Sequence, residues 1–156
     1  NVIHITFFII GEGAEKNRLK QMAKDRKVTN VIFVDSINWQ EIININQIIS
    51  ANLIHLKNLK LFETVIPSKI FESMALKKPI LAGLIGESLS IIEKGNVGIK
   101  VNPEDKQSLI DGILFLKDNP KKAKQLGRNG FTLVNKRYNR KILAKTMIRS
   151  IEKYKI

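Results

Sequence analysis

Residues 65–72 carry side chains suited to holding a phosphate and a sugar hydroxyl. Pro67 and Ser68 fit the first turn of a helix, where unbonded backbone N–H groups attract anions. Lys69 lies in the same turn, where a cation opposes the helix dipole unless an anion is bound nearby. Glu72, about one turn further, has a carboxylate that can accept hydrogen bonds from both hydroxyls of a ribose. An ordinary surface lysine and glutamate remain the alternative interpretation.

A second candidate is the stretch Gly11-Glu12-Gly13, which follows an apolar run. Glycine at Gly11 and Gly13 lets backbone amides approach a ligand closely. The helix expected behind them directs its positive end at the same place, which suits a phosphate. The stretch lacks the third glycine of the dinucleotide-binding fingerprint, so a plain tight turn remains the alternative interpretation.

The remaining chemistry-bearing residues form no catalytic or metal-binding pattern. His4 and His55 lie within or beside predicted strands, which favours a core or strand-edge role for each. The chain has no cysteine, which excludes disulfides and thiolate metal sites. We therefore expect no metal site and no bound cofactor.

Strand-like and helix-like segments alternate along the chain, and their order predicts how these loops are positioned. Alternation of this kind indicates βαβ units with a mostly parallel sheet and helices on both faces, a Rossmann-like doubly wound α/β domain. Ligands bind at the carboxyl ends of the strands in that architecture. Apolar runs predict strands at 5–10, 31–34, 53–56, 79–83 and 98–101, and helical periodicity is found at 14–26, 39–49, 67–76, 88–94, 104–117, 121–135 and 140–154.

Positive charge is concentrated at the C-terminal end of the chain. The net charge is +13, and residues 120–156 hold 12 Lys/Arg and a single acid, Glu152. We expect the last two helices to pack by their apolar stripes and to present their basic residues outward. Such a surface is either simply solvated or faces an anionic membrane, nucleic acid or another domain. The aromatic residues form no stacking platform for single strands, so we expect no nucleic-acid partner.

The length and hydropathy of the chain bear on where it works. No apolar run approaches the roughly 20 residues that span a bilayer. The apolar residues 2–10 lack the basic flank and cleavage site of a signal peptide, so they predict a core strand. We expect a cytoplasmic location, with peripheral association at the inner face of the cell membrane as a further hypothesis.

Residues 67–80 resemble the donor-site motif of bacterial group 1 (family 4) glycosyltransferases with the GT-B fold. The resemblance is nearest to the branch that makes capsule, O-antigen and colanic-acid polysaccharides, and it covers nearly the whole chain. It implies that residues 1–156 form the nucleotide-sugar (donor) binding domain, and that an N-terminal acceptor domain and an earlier βα unit lie outside this sequence. Further matching stretches are 9–13, 30–33, 98–99, 103–105, 126–130 and Tyr138.

The resemblance also implies roles for individual residues. Glu72 matches the second glutamate of the family's Glu-x7-Glu motif, which binds the donor ribose, and Pro67 matches the proline inside that motif. The positions of Ser68 and Lys69 lie beside the diphosphate. The Gly-x-Gly loop near the donor phosphates is matched by Gly11 and Gly13.

Two positions depart from the family's pattern. Thr64 stands where the first glutamate of the motif is expected, which leaves Glu63, one residue earlier, as the candidate for holding the donor sugar. Lys77 stands where the family has glycine at the end of a helix, so we expect a mildly altered helix end.

The activity implied by the resemblance is transfer of a sugar from a nucleotide-sugar, with a UDP-sugar expected as the donor, to a polysaccharide or lipid-linked acceptor. The transfer is expected to retain the configuration of the sugar and to need no metal ion. The chain alone is expected to bind nucleotide without turnover, because the acceptor domain is missing. Two alternatives stay open: half of a UDP-sugar epimerase, for which we find no set of acid/base groups, and a basic module that binds membrane or nucleic acid.

Overall fold

The computed structural model describes residues 5–154 and divides into two compact units, one ending at Ile45 and the other beginning at Asn46. The first unit is built on two parallel strands with Phe7 opposite Val31. Its elements are β1 (Phe7–Ile10), α1 (Lys16–Asp25) and β2 (Val31–Val34), followed by α2 (Trp39–Ile48), which ends inside the second unit.

The second unit is built on three parallel strands in the order β3-β4-β5. All four residues of the central strand β4 are buried, as expected for a parallel strand covered on both faces. The elements are β3 (Asn52–His55), the 3-10 helix η1 (Lys60–Glu63), α3 (Lys69–Ala75), β4 (Ile80–Gly83), α4 (Gly86–Gly95), β5 (Gly98–Lys100), α5 (Lys106–Asp118), α6 (Pro120–Arg137) and α7 (Arg140–Lys153).

The predicted α/β class with parallel strands is confirmed, and all five strands lie where the apolar runs placed them. The strands pair as two sheets, because β1 bonds only to β2 and β3 only to β4 among the described residues. The 3-10 helix η1 was not predicted, since its four residues are too few to show a period.

Helices cover both faces of β4. Ile80 and Ala82 point into one core cluster with Ile70 and Met74 of α3, while Leu81 packs on the other face with Leu116 of α5. Helix α6 joins both clusters and lies close against α3. This packing fixes the position of α3, which carries the residues singled out by the sequence.

The end of α3 has an ordinary geometry, so the expectation of an altered helix end is wrong. The N–H of Lys77 donates to the carbonyl of Met74, and that of Lys78 to the carbonyl of Ser73, which is the Schellman pattern. Lys77 adopts the left-handed conformation that glycine usually supplies, with φ of 56°. Its ammonium lies 4.5 Å from the centre of the Phe131 ring, a cation–π contact that helps to hold it there.

The two C-terminal helices differ in how they pack. Helix α6 buries Leu126 and Val134, as predicted. Helix α7 buries none of its residues, so the prediction that its apolar stripe packs is wrong. The side chains of Leu143, Met147, Ile151 and Tyr154 are each at least 49% exposed. Within residues 5–154, no helix has both the length and the apolarity needed to cross a bilayer.

Candidate functional site

The Gly11-Glu12-Gly13 loop continues from β1 and folds back onto the start of α1. The N–H of Gly11 donates to the carbonyl of Val34 at 3.1 Å, and the carbonyl of Gly13 accepts from the N–H of Lys16 at 3.0 Å. Gly11 has φ of 123°, which a side chain rarely permits. A Cβ added at either glycine would meet no described atom within 4 Å, so the backbone of this loop is open to close approach.

Lys16 ties this loop to the end of β2. Its Nζ lies 2.6 Å from Oε1 of Glu12 and 2.5 Å from Oδ1 of Asp35, and the lysine side chain is only 11% exposed. The hydrogen bond to Asp35, followed by that to Glu12, raises the pKa of Lys16, and Lys16 in turn lowers the pKa of Asp35. This role of Lys16 was not predicted from the sequence, although its spacing of four residues from Glu12 is a usable signal.

Asp35→Asn is expected to destabilise the first unit at neutral pH, since it removes the charge that Lys16 faces. A carboxylate with a depressed pKa contributes stability above its unfolded value of 3.8, and that contribution is lost as the pH falls through the folded value. The stabilisation is also lost at high pH, when Lys16 loses its proton, and the raised pKa of Lys16 places that loss above pH 10.5. Hydrogen exchange of the β1 amides in wild type and variant should therefore differ from pH 6 down to pH 3.8, and the difference should shrink as the pH falls further through the lowered pKa of Asp35. A difference that stays constant below pH 3.8 would contradict the prediction.

The start of α3 has two backbone N–H groups without a partner. Pro67 accepts from the N–H of Ile70 at 3.1 Å, and Ser68 accepts from the N–H of Phe71 at 2.9 Å. The N–H groups of Ser68 and Lys69 donate to no atom in the described part of the chain. This end of the helix is therefore able to receive hydrogen-bond acceptors from a ligand.

Ser68 orients Glu72. Its hydroxyl donates to Oε1 of Glu72 at 2.9 Å and does not cap the helix. Glu72 is half-buried, and its Oε2 has no partner among residues 5–154. One oxygen of this carboxylate is thus fixed, and the other is available to accept a hydrogen bond.

A network of hydrogen bonds between polar side chains joins α3 to β3. The side-chain amide of Asn52 donates to Ser73 Oγ at 3.0 Å and to Asn46 Oδ1 at 3.1 Å, and Ser73 Oγ donates to the carbonyl of Lys69 at 2.7 Å. Buried polar groups bonded in this way hold a helix in one orientation. The network was not predicted from the sequence, although a polar residue, Asn52, at the start of an apolar strand indicates it.

Glu63 ends η1 beside the start of α4. Its carbonyl oxygen lies only 2.0 Å from the place that a Cβ on Gly86 would occupy, and Gly86 has φ of 63°. Only glycine fits this contact. The carboxylate of Glu63 is exposed and has no polar partner in the described residues, so its role in holding a sugar stays a prediction.

His55 links the loops that follow β3 and β5. Its Nε2 accepts from the N–H of Glu104 at 3.2 Å, and Oε2 of Glu104 accepts from the N–H of Asn58 at 3.1 Å. His55 is exposed at the end of its strand, so the strand-edge alternative is right and the core alternative is wrong. His4 lies outside the described residues.

All seven predicted site residues follow the carboxyl end of a strand in their own sheet. Within residues 5–154, no three His, Cys, Asp or Glu side chains form a group that can hold a metal ion. The first unit holds Gly11 and Gly13, and the second holds Glu63, Pro67, Ser68, Lys69 and Glu72.

Comparison with known proteins identifies the family. The solved structure of sucrose-phosphate synthase from Thermosynechococcus elongatus matches with a TM-score of 0.75 at 20% identity, which shows the same fold. The match covers 94% of this chain and 37% of the synthase, so the chain spans little more than a third of that protein. A search of curated sequences gives no significant match. The family model for glycosyl transferases group 1 matches residues 2–132, and the chain therefore belongs to the group 1 glycosyl transferases.

Proposed function

We propose that this domain binds the donor of a retaining glycosyl transfer, a UDP-sugar, by its diphosphate and its ribose. The observation that carries the proposal is the pairing of Ser68 with Glu72 directly behind two unbonded N–H groups at the start of α3. An anion-binding helix end and an oriented carboxylate one turn apart match the two chemically distinct parts of a nucleoside diphosphate.

The start of α3 is proposed to stabilise the leaving group. Negative charge builds on the diphosphate as the glycosidic bond breaks, and groups already oriented toward it lower the barrier. The N–H groups of Ser68 and Lys69 and the ammonium of Lys69 provide positive charge there. We propose that these groups are sufficient without a metal ion or cofactor.

Glu72 is proposed to position the donor. Since Ser68 already holds Oε1, the carboxylate meets a ribose hydroxyl with little loss of side-chain freedom. Correct placement of the donor is itself a large part of catalysis in group transfer. The open backbone of Gly11 and Gly13 is proposed independently as a phosphate contact, and Glu63 as a contact to the donor sugar.

The wider setting is also a proposal. We propose that the whole enzyme is cytoplasmic and that its N-terminal acceptor domain binds a polysaccharide or lipid-linked acceptor. The proposed product is a capsule, O-antigen or colanic-acid polysaccharide. Catalysis then requires both domains, so the present chain binds the donor nucleotide without turning it over.

Calorimetric titration of UDP into the 156-residue chain tests the proposal. We expect modest binding of UDP and no release of sugar when a UDP-sugar is incubated with the chain alone. Absence of binding to any nucleoside diphosphate would contradict donor binding. Interconversion of a UDP-sugar with its epimer would favour the epimerase alternative, and NMR of the sugar protons would reveal it.

A further inference from the structure

The two neighbours of Glu72 in α3 are each held by a residue from another part of the chain. Successive residues of a helix point about 100° apart, so Phe71 and Ser73 lie on either side of Glu72. The buried side chains of Ile70 and Met74 lie on the face of α3 opposite Glu72. The direction of the Glu72 carboxylate therefore depends on how α3 is held against rotation about its own axis.

Ser73 holds one side of α3. It is 3% exposed, and its Oγ accepts from the side-chain amide of Asn52 at 3.0 Å while donating to the carbonyl of Lys69 at 2.7 Å. The same amide nitrogen of Asn52 donates to Oδ1 of the buried Asn46. A rotation of α3 that separated Ser73 from Asn52 would leave a buried N–H without an acceptor, which costs more than the hydrogen bond itself contributes.

Phe71 holds the other side of α3. The centre of its ring lies 4.7 Å from that of Tyr138, with an angle of 43° between the ring planes. Tyr138 follows the last residue of α6, and both rings pack against the core cluster that contains Ile70 and Met74. Aromatic pairs at this separation are favourable beyond the area that they bury, so a rotation of α3 would also cost the contact between the two rings.

We propose that Asn52 and Tyr138 are positioning residues for donor binding. They act through Ser73 and Phe71, and together they keep the free Oε2 of Glu72 directed at a ribose hydroxyl. The proposal rests on the proposed function, since it takes Glu72 as the ribose contact. Asn52 precedes α3 in the chain and Tyr138 follows α6, so the spacing of residues around Glu72 gives no sign of either.

Calorimetric titration with two ligands tests the proposal: UDP, and its dideoxy analogue, which lacks both ribose hydroxyls. We expect the wild type to prefer UDP, because Glu72 has no hydroxyl to bond in the analogue. Asn52→Ala and Tyr138→Ala should each weaken UDP binding by about fivefold and leave binding of the analogue unchanged. Ser73→Ala breaks the link to Asn52 with a smaller loss of volume and should show the same selective loss.

Two controls separate positioning from stability. Tyr138→Phe keeps the ring pair and should bind both ligands as the wild type does. Ser88→Ala removes another buried serine of the second unit, whose hydroxyl donates to the carbonyl of Ile85 at 3.0 Å on α4. It should lower the unfolding midpoint about as Ser73→Ala does, without changing the preference for UDP.

The outcomes distinguish this proposal from donor binding itself. If the Asn52 and Tyr138 variants lose affinity for both ligands equally, or keep the full preference for UDP, the positioning role is overturned. A wild type that binds UDP and its dideoxy analogue equally would contradict the ribose contact of Glu72, and with it this proposal.

Discussion

Gly127→Ala is expected to destabilise the second unit by about 3 kcal/mol, because the added methyl group has no room between α6 and α3. A Cβ at this position would lie 2.0 Å from the carbonyl oxygen of Lys77 and 2.7 Å from its carbonyl carbon. Both are backbone atoms in the Schellman turn that ends α3, so they cannot rotate away as a side chain can. The two helices must separate, and the contacts of Leu126 with the core loosen with them.

Urea unfolding followed by circular dichroism measures this effect. Gly13→Ala is the matched control, since a Cβ there meets nothing within 4 Å, and we expect a change within about 1 kcal/mol. If Gly127→Ala lost no more stability than this control, α6 would be shown to tolerate a side chain at Gly127.

Glu72→Ala is expected to weaken UDP binding by roughly 1.5–3 kcal/mol, or about tenfold to 150-fold, through loss of a charged acceptor for ribose hydroxyls. Ser68→Ala should have a smaller effect in the same direction, because Glu72 keeps its charge and loses only its fixed orientation. Calorimetric titration of UDP into each variant, with unfolding midpoints measured in parallel, separates a loss of binding from a loss of fold.

Glu93→Ala provides the control for net charge. Glu93 is exposed on α4, and its replacement by alanine removes the same charge from the same unit as Glu72→Ala does. The UDP affinity of this variant should therefore match that of the wild type. If Glu72→Ala also binds UDP with unchanged affinity, Glu72 does not contact the nucleotide. The family membership would stand, and the ribose contact would have to be sought elsewhere.

The strands and helices could be predicted from the sequence because their signals are local. The run at 80–83 is apolar throughout, and the strand buries every residue. The positions of Glu72 and Ser68 one turn apart also follow from local spacing. Their direct hydrogen bond does not, since it depends on which of several rotamers the serine adopts once its backbone is helical.

The features that were missed depend on contacts between distant parts of the chain. Lys16 bonds to Asp35, which lies 19 residues further along the chain. Asn52 bonds to Ser73, which lies 21 residues further along. Lys77 adopts the left-handed conformation that glycine usually supplies at a helix end, and its ammonium contacts the ring of Phe131, which lies 54 residues further along the chain. Periodicity indicated the apolar stripe of α7 correctly, but it could not reveal whether any other element covers that stripe.

Division of the five strands into two sheets has a consequence for solubility. Each sheet has its own edge strands among the described residues, β1 and β2 in the first unit and β3 and β5 in the second. Each edge carries unpaired backbone groups that can recruit a strand from another molecule, and exposed Ile9 and Leu53 add apolar surface to two of these strands. The charge of +13 keeps molecules apart. Salt that screens this charge should therefore promote precipitation of the chain, and low ionic strength should keep it in solution.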